Sequence, residues 1–298
     1  MSFTVATTVD EAIVAMAAGA RPIAGGSDLV VGARQGKAPL PDALVAIDRI
    51  EALRTIAPAP GSVRIGALVS HATLMTDPTI VRDYTALADA SALVGSPATR
   101  HVGTIGGNIM NASPAMDTGA PLLVLGALVE LRSTDGIRVV PIVDLWTGPG
   151  TTVATRDELC TVIDLPARPE RSGSAYARLE YRRAMEIAVV GAAASVTLAA
   201  DGTIAALSVA LAAVAPTIVP VDVAGLVGRR VDDTALAHVA TAASDHASPI
   251  SDLRASDRYR RHTVGVMARR AVDAAARRAA GESIGVPLNR AVGIGVAS

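Results

Sequence analysis

Apolar side chains recur at helical spacing in "VDEAIVAMA", with Thr8 three residues ahead of Glu11 and Gly19 beyond the end. A threonine followed by that glutamate makes a reciprocal cap, and glycine is the usual stop, so a helix is predicted over 9–18. "RPI" then reads as a short buried strand that runs into "AGG". Ser27 is placed to cap a helix in "DLVVGARQGK", and "ALVAIDRI" (43–50) is a second strand. After the break "APAPG", alternation in "SVRIGAL" predicts a strand over 62–68. A Ser70-capped helix follows around 71–76, and a longer one near 79–95. Residues 100–116 read as a loop and 118–126 as a helix. The strands "ALVELRS" (127–133) and "IRVVPI" (137–142) are joined by Thr134-Asp135-Gly136, and "LCTVIDLP" (159–166) is a further strand.

The polar, turn-forming run "ARPERSGS" (167–174) marks a boundary. Beyond it, 187–216 alternates like a hairpin around Asp201-Gly202, and two polar helices follow at 233–247 and 254–280. Strands and helices in separate blocks predict an α+β chain without internal repeats. The tail from 285 reads as loose or as an interaction arm.

Composition narrows the functions. Of the 298 residues, half are hydrophobic and only 2% aromatic, and the formal net charge is −1. No basic surplus or stacking platform points to nucleic acid. Mean hydropathy is +0.41, yet the most apolar windows, "PLLVLGALVEL" and "IAVVGAAASVTLAA", fall short of the ~20 residues that a bilayer crossing needs. With no signal-peptide pattern at the start, the expectation is a soluble cytoplasmic protein with no membrane span. The one cysteine, Cys160, rules out an intrachain disulfide or a cysteine-ligated iron–sulfur cluster, and the five histidines lack zinc spacing. No metal site is expected, nor a catalytic acid, base or nucleophile.

Candidate chemistry lies in two glycine-rich stretches. In "PIAGGSDL", successive N–H groups of a glycine turn form a concavity for anions, a place suited to pyrophosphate. In "VGTIGGNIMNASPAMD", Gly103, Gly106 and Gly107 permit close backbone approach, with Thr104 and Asn108 beside them. Asp117 either accepts from ribose hydroxyls or caps the next helix. Neither stretch fits the Rossmann or P-loop fingerprint. His71 reads as a cap or core residue, His101 as a structural hydrogen bonder, and Trp146 as core. Arg258, Arg260, Arg261, Arg269 and Arg270 read as solvated or paired helix faces.

These two stretches, with "VDLWTGPGTTV", "ELCTVIDLP", "SAYARLEYRRAMEIAVVGAA" and "SDLRASDRYRRHTVGVMARRA", resemble the FAD-binding medium subunit of the molybdenum hydroxylases. That family includes xanthine dehydrogenase, aerobic carbon monoxide dehydrogenase and nicotine dehydrogenase types. The resemblance spans roughly residues 3 to 280. It implies a p-cresol methylhydroxylase-type FAD fold of two α/β subdomains, at 1–57 and 58–170. A flavoprotein C-terminal domain at 171–285 and a tail at 286–298 would follow.

By the same resemblance, Pro22, Ile23, Ala24, Gly25, Gly26, Ser27, Asp28 and Leu29 wrap the pyrophosphate of a non-covalent FAD. Thr104, Ile105, Gly106, Gly107 and Asn108 form the second loop, and Asp117 contacts the nucleotide. Cys160 falls at an apolar flavin contact, with Tyr176 and Arg178 beside the isoalloxazine. The molybdopterin and 2Fe–2S clusters are expected on a large and a small partner subunit, in a heterotrimer doubled by symmetry. Three readings stand at this stage: an electron-transfer subunit of such a complex, a free-standing FAD oxidase or dehydrogenase, and a binding module with empty turns. The electron acceptor is open among NAD, a quinone, a cytochrome and oxygen.

Overall fold

A computed structural model describes residues 2–294. The elements run β1 (Ser2–Val5), α1 (Val9–Ala17), β2 (Arg21–Ile23), α2 (Leu29–Arg34), β3 (Ala43–Ala46), β4 (Ile56–Ala59), β5 (Ser62–Gly66), α3 (His71–Leu74), α4 (Pro78–Asp83) and α5 (Thr85–Ser91). There follow α6 (Pro97–Val102), α7 (Ile105–Asn111), α8 (Gly119–Val124), β6 (Leu128–Ser133), β7 (Gly136–Pro141), α9 (Ile142–Leu145), β8 (Trp146–Gly148), β9 (Thr151–Thr152) and β10 (Leu159–Pro166). The chain continues with β11 (Ser172–Leu179), β12 (Val190–Leu198), β13 (Ile204–Ala212), β14 (Val219–Val221), α10 (Asp233–His246), α11 (Asp257–Ala279) and α12 (Leu288–Ala291). They form two compact units, each discontinuous in sequence. The first takes residues up to Thr73, Pro97–Ala112 and Ala127–Ala167; the second takes Leu74–Ser96, Ser113–Gly126 and everything from Arg168.

In the first unit, β1-β3-β2 form a parallel sheet and β4-β5-β10-β6-β7 an antiparallel one. Helix α1 starts where its capping box dictates: Thr8 Oγ1 accepts from Glu11 N at 3.2 Å, and Glu11 Oε2 accepts from Thr8 N at 3.3 Å. It buries Ala12, Ile13 and Met16 among Val45, Ile47, Ile50, Leu53, Leu68 and Leu159. The stretch expected as a loop over 100–116 contains the end of α6 and all of α7. The glycines hid α7, because glycine weighs against a helix in any propensity reading. Its buried stripe is nevertheless Ile105 and Ile109, one turn apart. Ser27 does not cap α2; the N-cap is Asp28, with no side-chain cap bond.

The second unit is built on the antiparallel sheet β11-β12-β13-β14. The β12–β13 hairpin turns where expected, with Asp201 Oδ1 accepting from Thr203 N at 2.9 Å. Alanines 175, 192 and 194 of the sheet meet Ala268, Ala271 and Ala275 of α11 in one core, and such small side chains let a helix lie close to a sheet. The helix expected over 79–95 divides at Tyr84 (φ −126°, ψ 44°), which is buried between α4 and α5.

Of the two roles expected for Arg260, solvated or paired, it takes the second: it is buried, pairs with Asp252 at 2.7 Å and donates to the carbonyls of Val189 and Ala213. The tail is anchored rather than loose, since Leu288 and Asn289 are fully buried and Leu288 N donates to Asp89 Oδ1 at 2.8 Å. Residues 295–298 of that tail lie outside the described residues. Among the described residues no helix is long and apolar enough to cross a membrane.

Candidate functional site

The two glycine loops, far apart in sequence, meet in the first unit. Pro22 and Ile23 end β2, Ala24 to Asp28 form the turn, and Leu29 opens α2. At Gly25 the chain lies directly on the backbone after α6: a β-carbon there would sit 1.7 Å from Val102 O and 3.2 Å from Gly103 N. No residue but glycine fits. Gly26 takes φ +67° and reverses the chain. Among the described residues, no backbone N–H from Gly25 to Leu29 donates a hydrogen bond. Five successive N–H groups therefore remain for an acceptor at the surface, the donor set that a pyrophosphate requires.

The second loop is organised differently. Thr104 is the N-cap of α7, and its Oγ1 accepts from Gly107 N at 3.1 Å. Ile105 N donates to Val69 O at 3.0 Å, Gly106 N to Ala67 O at 2.9 Å, and Asn108 N to Thr104 O at 2.9 Å. These N–H groups are engaged, so this loop supplies shape rather than amide donors. Gly106 is required by contact: its β-carbon would lie 2.6 Å from that of Ala67. Gly107 is exposed and Asn108 half-buried.

Ala67 links this loop to β10, since Ala67 N donates to Thr161 O at 2.9 Å. Cys160 lies beside Thr161 at a bulge between β10 and β6 and is buried. Trp146 packs in the core and donates Nε1–H to Ile109 O at 2.9 Å, from behind α7. His101 Nδ1 bonds Pro97 O at 2.8 Å, a structural contact within α6.

Burial pushes the Cys160 thiol up to about 12, with Glu130 adding to the shift. It is thus a small apolar residue, neither charged nor nucleophilic at neutral pH. The native chain is expected to leave Cys160 unreacted with a disulfide reagent for hours and to titrate one thiol on denaturation. Reaction within minutes under native conditions would show instead that this part of β10 opens.

Asp117, Tyr176 and Arg178 come together in the second unit. Arg178 is fully buried; its Nη1 donates to Asp117 Oδ2 at 2.7 Å and its Nε to Glu180 Oε2 at 2.8 Å. Tyr176 donates its hydroxyl to Asp117 Oδ1 at 2.9 Å. The Asn289 amide accepts from Arg178 N at 3.1 Å through Oδ1 and donates from Nδ2 to Arg178 O at 2.9 Å. Burial opposes the Arg178 charge, but Asp117, Tyr176 and Glu180 more than offset it and hold the guanidinium above its ordinary value. Burial, with Asp117 beside it, pushes the Tyr176 phenol well up. Asp117 is therefore not a helix cap; both its oxygens are engaged inside this cluster.

Glu180 and Asn289 escaped sequence reasoning. Glu180 carried a signal, because Tyr176, Arg178 and Glu180 alternate along one side of a strand. Among the described residues no group of His, Cys, Asp and Glu could hold a metal ion.

The first loop thus fits a dinucleotide phosphate on the chemistry of its donors, while the second, its N–H groups engaged, packs on Ala67 and leaves Gly107 exposed. Comparisons with known proteins agree. The family pattern described as the FAD binding domain in molybdopterin dehydrogenase matches residues 1–168, and that of the CO dehydrogenase flavoprotein C-terminal domain matches 174–275. The carbon monoxide dehydrogenase medium chain of Afipia carboxidovorans is 34% identical over 262 residues, covering 87% of this chain and 90% of that one. A xanthine dehydrogenase FAD-binding subunit of Escherichia coli is 31% identical over 243 residues, covering 80% and 83%. A solved carbon monoxide dehydrogenase of Hydrogenophaga pseudoflava, lacking the Mo-pyranopterin moiety of its cofactor, aligns with TM-score 0.89 at 30% identity, covering 93% of this chain and 98% of that one.

Proposed function

The chain belongs to the family of FAD-binding medium subunits of molybdenum hydroxylase-type dehydrogenases, and from that premise we propose that it is an electron-exit subunit. It takes electrons from 2Fe–2S clusters on a small partner subunit and passes them to an external acceptor. A large molybdopterin subunit oxidises the substrate, in a heterotrimer doubled by symmetry. The single observation that carries the site is the run of free N–H groups from Gly25 to Leu29, closed on one side by the backbone of Val102 and Gly103.

When bound, FAD supplies the redox chemistry, accepting electrons singly or in pairs. What this chain supplies is placement. Within the stretch Pro22 to Leu29, the N–H groups of Gly25 to Leu29 hold the pyrophosphate; such backbone donors need no proton transfer and keep their direction. Thr104 to Asn108 form the opposing wall, fixed by the Thr104 cap. Cys160, uncharged and buried, offers an apolar neighbour and no competing thiolate. The resemblance read from the sequence also implies a nucleotide contact for Asp117 and a place beside the isoalloxazine for Tyr176 and Arg178. In their own unit these three are a buried cluster whose charges are mutually compensated. The lone cysteine accords with clusters carried by another chain.

The test is a visible spectrum of the purified full chain, followed by denaturation. Flavin bands with release of free FAD are expected, together with iron–sulfur and molybdenum subunits when the chain is isolated from its native source. A colourless chain that takes up no added FAD would refute the reading.

A further inference from the structure

One buried polar atom beside the two loops has no partner. His71 opens α3 with its side chain 1% exposed, and its Nδ1 makes no hydrogen bond. Its surroundings are otherwise satisfied. His71 N donates to Gly103 O at 3.2 Å, Gly103 N to Thr99 O at 2.7 Å, and Ser70 bridges Thr104. A β-carbon placed on Gly103 would lie 3.3 Å from His71 Cδ2 and 3.7 Å from Ser27 Oγ. The imidazole edge and the hydroxyl of the first loop thus converge on the same glycine.

A neutral imidazole offers one donor and one acceptor. A buried polar atom left unpaired is destabilising, and one that lies beside a candidate site calls for an explanation. Phenylalanine would fill this space without that cost. A half-turn of the ring about Cβ–Cγ exchanges Nδ1 with Cδ2 and brings the nitrogen to the edge that faces Gly103 and Ser27.

We propose that His71 is a positioning residue for the bound dinucleotide: its ring nitrogen bonds the Ser27 hydroxyl and so registers the first glycine loop on the second. The role rests on the FAD reading above. Burial, with Arg100 nearby, holds the imidazole at about 4, so it acts uncharged, by direction rather than by charge.

The experiment titrates FAD, followed by flavin fluorescence, into the full chain stripped of flavin, for wild type, His71→Phe and His71→Asn. Phenylalanine keeps a flat, slightly larger ring without the nitrogens; asparagine restores a donor at nearly the same place. The Phe variant is expected to melt at or above the wild-type temperature yet bind FAD at least about ten-fold more weakly, the worth of one hydrogen bond. The Asn variant should recover most of that loss. In the wild type, the ¹⁵N resonance of His71 Nδ1 should move when FAD is added. Wild-type affinity in the Phe variant overturns the proposal and leaves the FAD reading intact. So does an unmoved Nδ1 resonance, which decides the matter if the Phe variant does not fold. A wild-type chain that takes up no FAD overturns the reading beneath it and the proposal with it.

Discussion

Gly25→Val should purify without flavin. The added β-carbon would stand 1.7 Å from Val102 O and 2.4 Å from its carbonyl carbon, and both are backbone atoms, so no rotamer change relieves the clash. Either the turn after β2 lifts away from the residues that follow α6, or both loops distort. Overpacking of this kind costs about 1–3 kcal/mol and at times more, and 3 kcal/mol is a loss of roughly two orders of magnitude in affinity. The strain falls on the amides that the dinucleotide needs, so FAD binding should drop more than about 100-fold. Gly107→Ala is the control. That glycine is exposed, and its β-carbon would meet only Thr104 Oγ1, at 2.9 Å, so the cost is confined to the Thr104 cap bond. Its effect should stay under about ten-fold. Flavin-to-protein ratio and fluorescence titration measure both variants, and hydrogen exchange of β12 and β13 checks that the second unit is unaffected. A Gly25→Val chain with stoichiometric FAD would remove the first loop from the site.

Why the loops meet was not legible in the sequence, although the loops themselves were. A glycine pair after a strand announces a tight turn, because φ > 0 at Gly26 is a local need. Nothing local announces that Gly25 lies on Val102, since that need is created by a partner far along the chain. Helix α1 and the β12–β13 hairpin were legible for the converse reason: Thr8 with Glu11, and Asp201 with Gly202, carry their signals within a few residues. Helix α7 was hidden because Gly106 answers to packing on Ala67, not to helix propensity.

The division into units was obscured in a related way. A break at 167–174 is visible as polar composition, but residues 74–96 and 113–126 group with the chain after 168. They do so through contacts such as Asp89 with Arg278, at 2.7 Å and 189 residues apart. Asp117 shows the same limit from the side of chemistry. A carboxylate ahead of an apolar helix looks like a cap or a ligand when its partner Arg178 is 61 residues away.

That partnership makes Arg178→Met the most damaging change expected in the second unit. The substitution leaves Asp117 and Glu180 buried without their cation. Breaking a buried ion pair by removing one member costs about 3–5 kcal/mol, because the remaining charge has no solvent to return to. That is a large part of a domain's total stability of about 5–15 kcal/mol. The whole cluster, by contrast, is replaceable. Adding Asp117→Asn and Glu180→Gln to Arg178→Met removes the stranded charges, and the triple variant should recover most of the lost stability. Such non-additivity marks residues that act as one network.

Because a chain of two units need not unfold in one step, the readout is hydrogen-exchange protection of β11 and β12 alongside urea denaturation. The same variants separate two roles for Asp117, Tyr176 and Arg178. If they chiefly brace the second unit, Arg178→Met loses protection there and the triple variant regains it. If they chiefly contact FAD, as the sequence resemblance implies, protection stays near wild type while FAD affinity falls, and the triple variant restores nothing. The measured ordering of single and triple variants, protection against affinity, decides between a brace and a ligand contact.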